Sequence, residues 1–193
     1  VLGAMKPSQK LVGGAVSDEV RAEVESRGLS IIDYLHRDEL AVYNAVPTAE
    51  GAIQLAMEEL PITIHGARCL VTGYGRIARA LACRLGALGA DVTVAARKFS
   101  DIARAESQGH HGVEIAHLDD AGDFDVIFNT VPALIFDRGR LEKLEKSTLL
   151  IDLASRPGGV DFNAAAELQL KTIWALSLPG RIAPKSAGQI IKN

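Results

Sequence analysis

The sequence predicts an α/β protein built on a doubly wound parallel sheet, and three observations predict it. From residue 68 onward, short apolar runs alternate with amphipathic stretches, the pattern of strand, helix, strand. The first run ends in Gly73-Tyr74-Gly75-Arg76-Ile77-Ala78, a G-x-G-x-x-A turn that opens a helix. A second strand ends about 20 residues later, where such turns hold a dinucleotide. Together these predict a Rossmann-type dinucleotide-binding domain. They also predict the remainder of a smaller amino-terminal α/β domain ahead of it.

The elements follow in order. Residues 10–16 read as a strand, Ser17 as the cap of a helix to residue 27, and residues 29–32 as a second strand. Two strands and one helix bury little core alone. Residues 1–46 are therefore expected to be a partial amino-terminal domain with upstream sequence missing. Asn44-Ala45-Val46-Pro47-Thr48 should break the chain, with Thr48 capping a helix over 49–60. Residues 47–66 thus read as a linking helix, and residues 67–193 as the nucleotide-binding domain with a closing C-terminal helix.

In that domain, strands are expected at 69–72, 91–96, 113–115, 125–130, 149–153 and 172–176. Helices should cover 77–88, 100–108, 138–145, 161–170 and 184–191, the last with Pro184 in the favourable first position. The run 149–153 is almost wholly apolar, as a strand covered on both faces requires.

Composition narrows the function. The chain has 193 residues and a formal net charge of −3, so no broad pull toward nucleic acid or a membrane surface is expected. No apolar run approaches the roughly 20 residues that span a bilayer, and no signal segment opens the chain. A cytoplasmic location is the expectation. Cys69 and Cys83 lack metal-ligand spacing and read as two small buried thiols. The histidines lack evident partners, His110-His111 should be solvated, and no metal site is expected.

The glycine loop sets the site. Gly73 permits the tight turn and Gly75 lets backbone approach a pyrophosphate. Ala78 packs helix on strand. The helix start, at Arg76 and Ile77, offers free N–H groups to phosphate. The second strand ends in Ala95-Ala96-Arg97-Lys98, with two cations where an NAD site usually has a carboxylate. Arg97 suits a 2′-phosphate, with Lys98, Ser100 or Arg76 beside it, so NADP is favoured while NAD stays possible. Asn129-Thr130-Val131-Pro132 ends the fourth strand, on the edge where open parallel sheets bind ligands.

Two further loops should carry chemistry: Asp152-Leu153-Ala154-Ser155-Arg156-Pro157-Gly158-Gly159, and the stretch from Leu178 to Ala187. Arg156, Arg181 and Lys185 could bind an anion. No His follows His117 and no Tyr follows Tyr74. A proton-transfer group in this half would have to be Lys185, Asp152, Asp161 or a hydroxyl such as Ser155.

Taken together, these stretches resemble the dipicolinate synthase A chain family of spore-forming bacteria. NAVPTAEG (44–51), TIHG (63–66), GYGR (73–76), NTVP (129–132), DLASRPGG (152–159), LPG (178–180) and APKSAGQI (183–190) carry the resemblance, across about three-quarters of the chain. Arg181-Ile182 departs from it, where a smaller or apolar residue is expected first. The resemblance implies an oxidoreductase using NADP or NAD. Its substrate would be a dihydro- or hydroxytetrahydrodipicolinate, its product pyridine-2,6-dicarboxylate. Such a dicarboxylate calls for cations, and Arg156 and Lys185 are placed to serve, so Ser155, Arg156 and Lys185 are the candidate catalytic set. The resemblance also implies a second, flavoprotein-like partner chain and the mother cell of a sporulating bacterium. A homo-oligomer is compatible. Two alternatives stay open: another two-domain NAD(P)-dependent dehydrogenase, of the hydroxyacid or methylene-tetrahydrofolate type, or a nucleotide-sensing module without chemistry.

Overall fold

A computed structural model describes residues 5, 6, 9–120 and 123–192. Val1, on which the expectation of missing upstream sequence partly rests, lies outside them. Two parallel strands come first, β1 (Lys10–Gly13) and β2 (Ser30–Asp33), joined through α1 (Asp18–Ser26). Ser17 caps α1 as expected, its hydroxyl accepting from the Val20 amide. β1 stops at Gly13, earlier than its sequence suggests, because Ala15 turns into the left-handed region at φ +56°. Asp33 closes the unit: its carboxylate accepts from the Val16 and Leu35 amides at 2.8 and 2.9 Å.

The expected break at Asn44–Thr48 is absent. One helix of 22 residues, α2 (Asp38–Glu59), runs through it and begins well before the linking helix expected from residue 47. Pro47 removes one N–H donor, but α2 buries Leu40, Ala45, Ala49, Ala52, Ile53 and Ala56. Such packing, more than local propensity, holds helices in proteins. Thr48 is not a cap; its hydroxyl donates back to the Asn44 carbonyl at 2.7 Å.

The main sheet has six parallel strands: β3 (Arg68–Thr72), β4 (Asp91–Ala96), β5 (His111–Glu114), β6 (Val126–Asn129), β7 (Leu149–Asp152) and β8 (Lys171–Trp174). Their order is β5-β4-β3-β6-β7-β8, so the chain reverses direction across the sheet between β3 and β6. Period-two alternation splits the core. Val126, Phe128, Leu149 and Ile151 face α2 and α3 (Arg76–Ala87), while Leu70, Ile127 and Leu150 face α5 (Arg138–Leu141) and α6 (Phe162–Glu167). α4 (Phe99–Ser107) joins the first layer through Ile102 and Ala105.

Some elements depart from expectation. α5 is a single turn, capped by Asp137, and α6 is shorter than its sequence span, capped by Asp161. The stretch after β8 is not an open loop. It forms α7 (Leu178–Ile182) and then α8 (Pro184–Lys192), with Pro184 in the first position as expected. Cys69 is buried, but Cys83 is exposed. His110 is half-buried beside Gly86; burial first, then the neighbouring His111, pushes its imidazole down. No helix among the described residues is long and apolar enough to cross a membrane.

Candidate functional site

The site lies at the carboxyl edge of the sheet, where β3 and β6 diverge into their loops. The last residues of four adjacent strands stand in register: Thr72 pairs with Asn129, Asn129 with Asp152, and Asp152 with Trp174. Three of them form a buried polar ladder. The Thr72 hydroxyl donates to Asn129 Oδ1 at 2.6 Å, and Asn129 Nδ2 donates to Asp152 Oδ1 at 2.7 Å. Thr72, Asn129 and Asp152 are all fully buried, so satisfying these groups matters.

Above the ladder sits the glycine loop. Gly73 has φ +89°, and a Cβ there would stand 2.7 Å from Thr130 Oγ1. Thr130 cannot swing away freely, because its hydroxyl donates to the Thr72 carbonyl at 2.7 Å. Gly75, the N-cap of the twelve-residue α3, has no neighbour within 4 Å of a Cβ position and caps with no side chain. The first amides of α3 therefore open onto free space, the arrangement that receives a phosphate. Tyr74 turns inward; its hydroxyl donates to Gln108 Oε1 at 3.0 Å and the Arg79 guanidinium lies over its ring at 5.1 Å. Burial pushes its phenol up.

A cavity of about 290 Å³ adjoins this loop, lined by Gly73, Gly75, Arg97, Lys98, Thr130, Val131 and Pro132 among others. Arg97 and Lys98 are exposed at the end of β4, and neither forms an ion pair among the described residues. Asp101 is the acidic residue in this wall; it sits 3.1 Å from Arg104 and 4.0 Å from Arg79. Arg76, expected beside Arg97, instead pairs with Asp38 at the start of α2. It does not line the cavity.

A second cavity of about 300 Å³ shares Thr130 and Pro132 with the first. Ile77, Leu153, Ala154 and Ala175 make it apolar, and the hydroxyl-bearing Thr48, Ser155 and Ser177 also line it. Ser177 holds the left-handed conformation, φ +59°, a strained backbone for a residue with a side chain. Thr48, Ala175 and Ser177 were not foreseen at a site. The NAVPTAEG stretch was a signal for Thr48, but the expected cap role hid it.

The structure brings together part of the expected set. Ser155 lines the second cavity, and Arg156 follows it, exposed, with its guanidinium 5.7 Å from the Trp174 ring centroid. Lys185 is exposed at the start of α8 and lines neither cavity. Asn129 does not offer its amide to a ligand: Oδ1 accepts from Thr72 and Val131, and Nδ2 donates to Asp152 and the Val131 carbonyl. Asp152 and Asp161 are likewise committed. Asp152 accepts from Asn129, Ala154 and Gly159, and Asp161 caps α6 through the Ala164 amide. Among the described residues, no three His, Cys, Asp or Glu side chains gather as a metal site.

Comparison with known proteins places this geometry in a family. Residues 38–173 match the model of the D-isomer specific 2-hydroxyacid dehydrogenase, NAD binding domain. The chain is 37% identical over 183 residues to the dipicolinate synthase A chain of Bacillus subtilis, covering 94% of this chain and 61% of that protein. The solved dipicolinate synthase A chain of Bacillus subtilis superposes with a TM-score of 0.90 at 35% identity, over 98% of this chain and 64% of that one. The corresponding chain from Bacillus halodurans gives 0.89 at 36%, over 94% and 63%. A transhydrogenase from Sinorhizobium meliloti, at 16% identity, shares the fold with a TM-score of 0.81. The chain thus spans somewhat under two thirds of the length of the dipicolinate synthase A chains it matches. It belongs to the family of D-isomer specific 2-hydroxyacid dehydrogenase NAD-binding domains, and it is similar to the A chains of dipicolinate synthases.

Proposed function

We propose that this chain forms the nicotinamide-binding part of a dipicolinate synthase A chain, which oxidises dihydrodipicolinate or, with loss of water, its hydroxytetrahydro precursor to pyridine-2,6-dicarboxylate with NADP. The observation that carries the reading is the junction of the two cavities at Thr130 and Pro132, with Arg97 and Lys98 at one end and Ser155 at the other, Arg156 following it, exposed, outside the lining.

The residues present fit the cofactor. The open space at Gly75 and the uncapped start of α3 suit a pyrophosphate held by the Arg76 and Ile77 amides. Arg97 and Lys98 would hold a 2′-phosphate, and Thr130, Val131 and Pro132 would flank the nucleotide where the cavities meet. When bound, an oxidised nicotinamide accepts a hydride from carbon. Around the substrate, Ile77, Leu153 and Ala175 exclude water, and Arg156, exposed beside Ser155, reaches in to bind a carboxylate. Ser155 orients the ring through its hydroxyl. Asn129 acts by positioning the Thr130 turn, not by touching the ligand. Lys185 would contribute only to the outer electrostatics. Aromatisation drives the reaction, so the proton lost from the ring needs no strong base.

A second, flavoprotein-like partner chain and the cytoplasm of a sporulating mother cell complete this proposal. A 2-hydroxyacid substrate is the second reading, favoured by the family match. Residues 118–193 hold no His, so they do not themselves supply the His of the His-carboxylate pair that such an oxidation would use.

The test is the ultraviolet absorbance of pyridine-2,6-dicarboxylate formed from the aldol-condensation product, NADP and the purified chain paired with its flavoprotein-like partner. No product with either NADP or NAD sinks the proposal. Arg97→Ala should weaken NADP binding on the order of tenfold, the loss of a charge-assisted contact, and leave NAD binding unchanged. Tighter binding of NAD than NADP by the unaltered chain would overturn the role of Arg97.

A further inference from the structure

The sequence contains one tryptophan, Trp174, and the structure puts it under the loop that carries Arg156. We infer that Trp174 is the positioning residue for Arg156: it holds the guanidinium over its ring, ready for a substrate carboxylate. The inference rests on the dicarboxylate reading above and extends it to a residue that lines neither cavity.

The indole is held from three sides. Its Nε1 donates to the Ala154 carbonyl at 3.0 Å, next to Ser155. Phe162 stacks on it with centroids 5.3 Å apart and planes 20° apart. Gly158, at φ +86°, closes the third side; a Cβ there would stand 3.2 Å from Trp174 and 2.9 Å from Asp152 Oδ2. Asp152, its register partner, ties both ends of the loop through the Ala154 and Gly159 amides, at 3.0 and 2.8 Å. One face of a fixed ring thus remains for Arg156.

The arginine needs such a surface. It is exposed and makes no ion pair among the described residues. A free guanidinium on a loop samples many rotamers. Lying on an aromatic face, it is ordered by the ring quadrupole while its N–H edge stays open for a bidentate carboxylate. A tryptophan that merely packed the sheet edge would have no effect on carboxylate binding beyond its effect on folding.

The experiment uses the purified chain, calorimetric titration with pyridine-2,6-dicarboxylate, and tryptophan emission. Arg156→Ala should change the emission of the ligand-free protein, because a cation leaves the indole. Trp174→Leu should weaken dicarboxylate binding about fivefold or more, the scale of a cation–π contact. Trp174→Phe, which keeps an aromatic face, should restore most of it. NADP affinity and melting temperature should hold in the phenylalanine variant. Trp174→Leu added to Arg156→Ala should cost nothing further. An unchanged emission in Arg156→Ala overturns the stack itself. Additive losses in the double variant overturn the positioning role. Altered emission with no dicarboxylate binding by the unaltered chain overturns the substrate reading and, with it, this inference.

Discussion

Gly73 and Gly75 stand two positions apart and answer to different constraints. Gly73 is demanded by the fold, through its φ of +89° and the Thr130 hydroxyl that a Cβ would strike. Gly73→Ala should therefore lose about 1–3 kcal/mol of stability, the cost of a strained backbone position. Gly75 has ordinary φ and open space around it, so Gly75→Ala should melt like the parent. Its added methyl would meet a nucleotide instead, weakening NADP binding on the order of tenfold. Thermal melts and nucleotide titrations of both variants separate the roles; equal melting temperatures would show that Gly73 is not under strain. The two cysteines divide as sharply. Burial pushes the Cys69 thiol up to about 12, while Cys83 is exposed on α3. A thiol reagent should label Cys83 in the native protein and reach Cys69 only in denaturant. Rapid labelling of both in buffer would contradict that burial. At this scale the sequence was a partial guide. It put Asn129 and Asp152 at the carboxyl ends of their strands, but did not show that one hydrogen bond joins them and that Thr72, Val131, Ala154 and Gly159 take up the rest of their hydrogen-bonding capacity.

At the scale of elements, misreadings arose where tertiary contacts override local signals. Pro47 looks like a stop, yet α2 continues because it buries apolar residues on both sides of that position, Leu40 and Ala45 before it and Ala49, Ala52, Ile53 and Ala56 after it. Pro179 and Gly180 after β8 look like a loop, yet Pro179 sits in the first turn of the short α7, where a missing N–H costs nothing, while Pro184 opens α8 as expected. The β1-α1-β2 unit is the case in which one residue governs an element. Asp33 is held below the ordinary carboxyl range, chiefly by the Val16 amide, then by the Leu35 amide and the nearby His36, against an opposing effect of burial. A carboxyl whose folded value is lowered binds protons better when unfolded. It therefore adds stability above about pH 4, and that stability is lost as pH falls through the lower folded value. Amide exchange at Val16 and Leu35 should accelerate across that acid window once corrected for intrinsic rates. Asp33→Asn should already exchange fast at neutral pH and show a flatter dependence. A pH-independent opening rate in the parent would refute the assignment.

Across the whole molecule, the sheet was largely legible, because buried parallel strands leave continuous apolar runs and each crossover helix leaves a 3.6-residue pattern. The glycine loop, the Arg97 strand end and the Asn129 turn could be placed on one edge by that topology alone. The ladder beneath them could not, since it joins residues 57 and 23 positions apart whose pairing depends on strand register. That ladder makes a prediction that a set of independent loops would not. Asp152 receives the Asn129 amide and the Ala154 and Gly159 backbone amides, all buried. Asp152→Ala leaves three donors without an acceptor, at about 1–3 kcal/mol for each buried group and less when the losses overlap, so about 3 kcal/mol or more in all. Denaturant midpoints measure it. Where the fold survives, the Thr130 turn and the Arg156 loop should loosen together. NADP and dicarboxylate binding should then fall in parallel, although Asp152 lines neither cavity. If one affinity fell and the other held, the two loops would be independently supported and the ladder would be a stability element alone.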